Sequence, residues 1–85
     1  MKMNDMREQI RSYIVDNFLF GDDSGLDDTV SFLDSGMIDS TGILEVISFL
    51  EETFPIKVKD EELVPENLDS IQNLVAYLGR KMATA

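Results

Sequence analysis

Between Asp34 and Glu51 the chain reads DSGMIDSTGILEVISFLE. Asp39 and Ser40 stand at its centre, where a Gly-containing loop meets a run of helical periodicity. A serine hydroxyl placed there suits one kind of chemistry well: it can be esterified to a phosphate. The hydroxyl projects from the surface on rigid backbone. The free N–H groups and the positive dipole end of a helix N-terminus favour an anion. Asp39 can accept the first-turn N–H bonds as the cap, leaving Ser40 Oγ to point outward. Gly36 lets the loop turn tightly before the site. The same two residues are also an ordinary helix start. A second pair, Asp69-Ser70, precedes another apolar-periodic run, so the dipeptide alone does not separate an attachment point from a cap.

Other chemistries find less support. The chain has no cysteine and no histidine. Disulfides, Cys/His zinc sites, thiol nucleophiles and imidazole acid–base catalysis are therefore absent. Seventeen acidic residues offer many carboxylate pairs, yet no pattern marks one as buried or joins it to another catalytic group. An enzyme is not expected, and neither a catalytic residue nor a metal ligand is assigned. The loop GDDSGLDDTV invites a calcium reading that fails. With Asp22 as position 1 of an EF-hand loop, Asp27 stands where glycine is needed and Leu33 where a bidentate glutamate is needed. Diffuse divalent binding that relieves charge repulsion is compatible with so acidic a loop.

The elements that must position Ser40 follow from periodicity. Eighty-five residues make one domain, 1–85, with a modest core. A first helix is expected over Asp5–Phe18, with Met6, Ile10, Tyr13, Ile14 and Phe18 at helical spacing, Asn4 or Asp5 as cap and Gly21 past the end. A long connection, Leu19–Ile38, carries five Asp residues and the apolar anchors Phe20, Leu26, Val30, Phe32 and Leu33. The second helix should run Ser40–Thr53 and stop before Pro55. Its apolar face is Ile43, Val46, Ile47, Leu50 and Phe54; Thr41, Glu45, Ser48 and Glu52 lie opposite, with Leu44 at the edge. IKVK, from Ile56 to Lys59, reads as an extended link. Asp60 is expected to cap a short third helix through Val64, closed by Pro65. The last helix should start at Asp69 or Ser70 and bury Ile71, Leu74, Val75 and Leu78. Its end is expected near Gly79, with Arg80 and Lys81 at the negative end and the tail MATA frayed. The fold class is all-α: a small antiparallel bundle of three longer helices and one short helix, with a long loop between the first and second.

A net charge of −10 disfavours nucleic acid and anionic membranes as partners and favours basic proteins. No apolar run approaches the roughly 20 residues of a membrane span, and the N-terminus has no apolar signal core. A cytoplasmic protein is expected.

The segment LDSGMIDSTGILEVISFLEETF resembles the prosthetic-group site of acyl carrier proteins, a hydrophobic-Asp-Ser-hydrophobic sequence inside a G-hydrophobic-hydrophobic-D-S run. The likeness extends to the mid-chain position of the serine, the acidic helix ending in Phe54, the acidic segment DEELVPENLDSI and the final amphipathic helix. It implies that Ser40 takes a 4′-phosphopantetheine arm from coenzyme A, through a phosphopantetheinyl transferase, with Asp39 as flanking cap and Ser70 as the cap of the last helix. The arm would hold acyl or aminoacyl groups as thioesters and deliver them to loading and transferring enzymes. Two positions depart from the fatty-acid carriers. Thr41 replaces the usual leucine and Gly42 the usual acidic residue, both expected beside the arm where partners dock. Together with SGMIDS, these imply a specialised acyl, aminoacyl or D-alanyl-like carrier. The expected partner face is Thr41, Leu44, Glu45, Ser48 and Glu52, with exposed ion pairs of about 0.2–1 kcal/mol each suiting brief encounters. A monomer is expected, because a swinging arm needs an unobstructed surface. The rival reading is an acidic helical interaction module without a prosthetic group.

Overall fold

Three amphipathic helices carry the core. The computed structural model describes residues 3–84. Helix α1 spans Met3–Phe18, α2 Phe32–Ser35, α3 Ser40–Thr53, α4 Pro65–Leu68 and α5 Ile71–Thr84, with a 3-10 turn at Asp60–Glu62 before α4. No strand occurs among the described residues. The all-α class and the three long helices are as expected.

Met6, Ile10 and Ile14 of α1 are buried against Val46 and Leu50 of α3 and Ile71, Leu74, Tyr77 and Leu78 of α5. Burying each such aliphatic side chain contributes roughly 1.5–3 kcal/mol. α1 and α3 run antiparallel: Phe18 packs at Gly42, while Tyr13 lies beside Phe49 further along. The Tyr13 and Phe49 rings stack with centroids 4.0 Å apart.

Several boundaries differ from expectation. α1 begins at Met3, so Asp5 sits in its first turn and is not its cap. The long connection is not all loop. Ser31 Oγ accepts the Asp34 N–H at 3.0 Å and caps the short helix α2, and Gly36 ends it in the left-handed region (φ 77°). Of the anchors, Leu26 and Phe32 are buried and Val30 partly so, but Phe20 and Leu33 are exposed. Polar side chains do much of the fastening. Arg7 Nε donates to Asp28 Oδ2 at 2.5 Å, and Arg11 Nη2 donates to the Leu26 carbonyl at 3.0 Å.

Pro65 opens α4 and does not close a helix before it. At the first helical position its missing N–H costs nothing and its fixed φ is already helical. Asp60 is the first residue of the 3-10 turn and not a cap. Ile56–Lys59 is a link without helix or strand, and Lys59 at its end is extended. α5 passes through Gly79 to Thr84. A mid-helix glycine costs about 1 kcal/mol. The last turns are held by Met82 packing on the core, Arg80 Nη2 donating to Asn67 Oδ1 at 2.8 Å, and Lys81 Nζ bonding Glu62 Oε1 at 3.0 Å. The expected fraying of the tail is therefore corrected for Met82 to Thr84; Ala85 lies outside the described residues. Among the described residues no helix is long and apolar enough to cross a membrane.

Candidate functional site

Ser40 is the first residue of α3, and its side chain is exposed. Asp39 precedes it in extended conformation and does the capping. Its Oδ1 accepts the Gly42 N–H at 2.7 Å, and its carbonyl accepts the Ile43 N–H at 3.0 Å. The helix start is thus satisfied without the Ser40 hydroxyl. The second Asp-Ser pair is arranged the other way round. Ser70 is only 5% exposed, and its Oγ caps α5 by accepting the Asn73 N–H at 3.0 Å. Asp69 is engaged across the fold. Its carboxylate takes the Ser31 hydroxyl and the Leu33 N–H, and its carbonyl takes the Phe32 N–H at 2.8 Å. Asp69 was a candidate helix start; it ends α4 and ties α2 down.

The loop entering the site is shaped by α2 and Gly36. Ile38 is buried, and its N–H donates to the Phe32 carbonyl at 3.2 Å. Gly42 is moulded to this arrangement. A Cβ there would stand 2.6 Å from Ile38 Cγ2 and 3.0 Å from Phe18 Cε1. The expectation that Gly42 flanks the arm on the docking face is therefore corrected. Two residues on from Ser40, at about 100° each, it points inward on the opposite side of the helix.

Ser40 also stands on the rim of a groove of about 220 Å³. Ile43, Leu44 and Ile47 line it from α3, Leu33 from α2, and Leu63 and Leu68 from the segment around α4. Ile43 and Ile47 were expected to be core; they are partly buried and form groove wall instead. Leu33, Leu44 and Leu63 are the exposed leucines of the molecule's described surface, and all three border this groove. The only sequence signal was the unusual breadth of α3's apolar arc. Leu33, Leu63 and Leu68 arrive from segments distant in the chain.

The expected partner residues Thr41, Leu44, Glu45, Ser48 and Glu52 are all exposed; Thr41, Glu45, Ser48 and Glu52 follow one side of α3, and Leu44 stands apart from them. Leu44 turns to the groove. Glu45, Ser48 and Glu52 border a shallow hollow with Tyr13, Asn17 and Phe49. Tyr13 OH donates to the Glu45 carbonyl at 3.2 Å. Burial raises the Tyr13 pKa, and the Glu45 and Glu52 carboxylates raise it further. Thr41 faces the α1 end, near Asn17, Phe18 and Met37. Among the described residues no ion pair involves Glu45 or Glu52; Arg7, Arg11 and Lys81 pair with Glu8, Asp23, Asp28 and Glu62 instead. The surface around Ser40 is accordingly left acidic, which suits cationic partners.

An exposed hydroxyl at a helix N-terminus, with its cap supplied by a neighbour and an apolar groove alongside, can hold a phosphodiester-linked arm and shelter an apolar group at the arm's side. Comparison with known proteins agrees. A family model described as phosphopantetheine attachment site matches residues 8–78. The probable acyl carrier protein PigG of Serratia sp. is 26% identical over 78 residues, covering 92% of this chain and 90% of its own length. The acyl carrier protein of Akkermansia muciniphila is 37% identical over 78 residues, covering 92% and 94%. That of Buchnera aphidicola is 39% identical over 51 residues, covering 60% and 62%.

Proposed function

The chain belongs to the acyl carrier protein family, and on that premise we propose that Ser40 is the residue that bears the 4′-phosphopantetheine arm, with Asp39 as its flanking cap. The protein is a carrier and not an enzyme; it bears acyl groups on a covalent phosphopantetheine and works with a phosphopantetheinyl transferase and acyl-handling enzymes. This sets aside the reading as an interaction module without a prosthetic group.

The residues present fit the arm. Ser40 Oγ would become the ester oxygen: its new bond to the arm's phosphorus replaces that phosphorus's diphosphate bond in coenzyme A, adenosine 3′,5′-bisphosphate leaves, and the hydroxyl proton passes to a base on the transferase. The helix N-terminus favours the phosphodiester anion. The arm supplies the terminal thiol that a cysteine-free chain lacks and on which cargo rides as a thioester. Ile43, Leu44 and Ile47, starting one turn from Ser40, offer an apolar cargo partial shelter from water. Glu45, Ser48, Glu52 and Thr41 present partners with a weakly binding acidic face.

One observation carries the assignment to Ser40: its hydroxyl is exposed and spared from capping, whereas Ser70 is buried and spends its hydroxyl on the Asn73 N–H. Incubation with coenzyme A and a broad-specificity phosphopantetheinyl transferase tests it. One arm mass should be added to wild type and to Ser70→Ala, and none to Ser40→Ala. Wild type that gains no mass sinks the proposal, and an arm found on Ser70 sinks the site assignment.

Thr41, exposed beside Ser40 where fatty-acid carriers usually have leucine, supports a specialised acyl or aminoacyl cargo. A monomer suits the open surface around Ser40, and coenzyme A as donor suits loading in the cytoplasm.

A further inference from the structure

Phe20 is 95% exposed, while the next most exposed large apolar side chain among the described residues, Leu44, is 59% exposed and borders the groove. Phe20 is also the one non-glycine residue with positive φ among the described residues, at 54°. An L-residue in that region costs roughly 1–2 kcal/mol. Glycine would take the same backbone at little cost. Folding therefore accounts for the turn but not for the ring that sits on it.

The turn is firmly built. The Gly21 N–H donates to the Val15 carbonyl at 3.0 Å and the Asp22 N–H to the Leu19 carbonyl at 3.0 Å. Asp22 Oδ1 accepts the Ser24 N–H at 3.0 Å, which holds the Asp22 carboxyl below the usual carboxylate range. An aromatic side chain on such a turn loses little entropy when it docks.

Its place is equally specific. Phe18, just before the turn, packs at Gly42, and Gly25, just after it, faces Met37 Cε. Both contacts flank Ser40 in the chain. Phe20 is thus displayed at the end of the bundle where Ser40 is loaded, beside the exposed carboxylates of Asp22 and Asp23. Only a partner whose reacting atoms approach Ser40 Oγ itself is required to cover this end. A second copy of the chain, also at −10, is repelled.

We propose that Phe20 is a docking anchor that fills an apolar pocket, ringed by cationic side chains, on the transferase that loads Ser40. The proposal rests on Ser40 as the loading site.

The test is steady-state loading of the apo-protein with coenzyme A and a broad-specificity phosphopantetheinyl transferase, for wild type, Phe20→Gly and Phe20→Trp. Phe20→Gly should melt no lower than wild type, because it relieves the backbone. Its KM for the apo-carrier should rise about tenfold, the loss of a buried aromatic contact, with kcat little changed. Phe20→Trp should retain most of the affinity, and the wild-type KM should rise with salt. A Phe20→Gly KM within about twofold of wild type overturns the proposal while leaving Ser40 loading intact. Wild type that accepts no arm overturns both readings. Sedimentation adds a separate check: a wild-type dimer that Phe20→Gly converts to monomer assigns the ring to self-association and overturns the proposal.

Discussion

Asp39 Oδ1 accepts the Gly42 N–H at 2.7 Å, so the aspartate and not the following serine closes the start of α3. Asp39→Ala should lower stability by about 1 kcal/mol, while Asp39→Asn, which keeps an acceptor, should retain most of it. Urea midpoints at pH 7 check both. An unchanged midpoint in Asp39→Ala would show that the bond does not cap the helix in solution.

The two serines should differ in stability as well as in loading. Ser70→Ala removes a buried cap and should cost about 1 kcal/mol. Ser40→Ala alters an exposed side chain and should stay within about 0.5 kcal/mol of wild type. Denaturant unfolding of the pair measures the difference; equal losses would contradict the structural distinction.

Gly42→Ala sets helix propensity against packing. Alanine gains up to about 1 kcal/mol of propensity. The new Cβ, however, would stand 2.6 Å from Ile38 Cγ2, and overpacking of this kind costs typically about 1–3 kcal/mol. Net destabilisation is expected, and it should shrink in an Ile38→Ala background, where the clashing methyl is gone. A double-mutant cycle reads this coupling, and additive effects would remove the claimed contact.

Glu62 gathers the Lys59 N–H, Lys81 Nζ and Tyr77 OH on one carboxylate. The Lys59 N–H is the foremost cause holding its pKa at about 2 instead of the usual 4.5. The unfolded chain therefore takes up this proton first as pH falls. The stability that Glu62 contributes is complete above pH 4.5 and is lost progressively toward pH 2. Glu62→Gln should flatten the acid limb of a stability–pH profile, measured as urea midpoints from pH 7 to 2. An acid limb of unchanged steepness would count against the network.

Tyr77 is the other half of that network. Burial first, and the bond to Glu62 second, push its phenol well above the usual range. Tyr13 is also raised. Spectrophotometric titration of the folded protein should show little tyrosinate at pH 10. A full phenolate signal at that pH would mean that one of the two rings is open to water.

The sequence was most legible where the interactions are short-ranged. The span of α3, the Asp39 cap and the turn at Gly36 all depend on residues within one helical turn of each other, and periodicity with local side-chain chemistry reveals them. α2 escaped because four residues cannot display a period; it exists through the Ser31 cap and the bonds to Asp69, 38 residues away. The end of α5 was misjudged for a similar reason. Gly79 and the basic pair look like a stop, but Met82 and Lys81 find partners on distant segments that outweigh one glycine.

The serine at the centre of the chain shows both sides of this division. Its residue type, its place at a helix start and the surrounding pattern are local facts, and the sequence alone determined them together with the acidic charge that selects basic partners. Tertiary structure decided which Asp-Ser pair offers its hydroxyl, because burial depends on what packs from elsewhere. It also turned Gly42 inward, opened the groove between α2, α3 and α4, and left Phe20 in water. A residue's exposure is set by neighbours brought from many positions away, and no pattern read one turn at a time contains them.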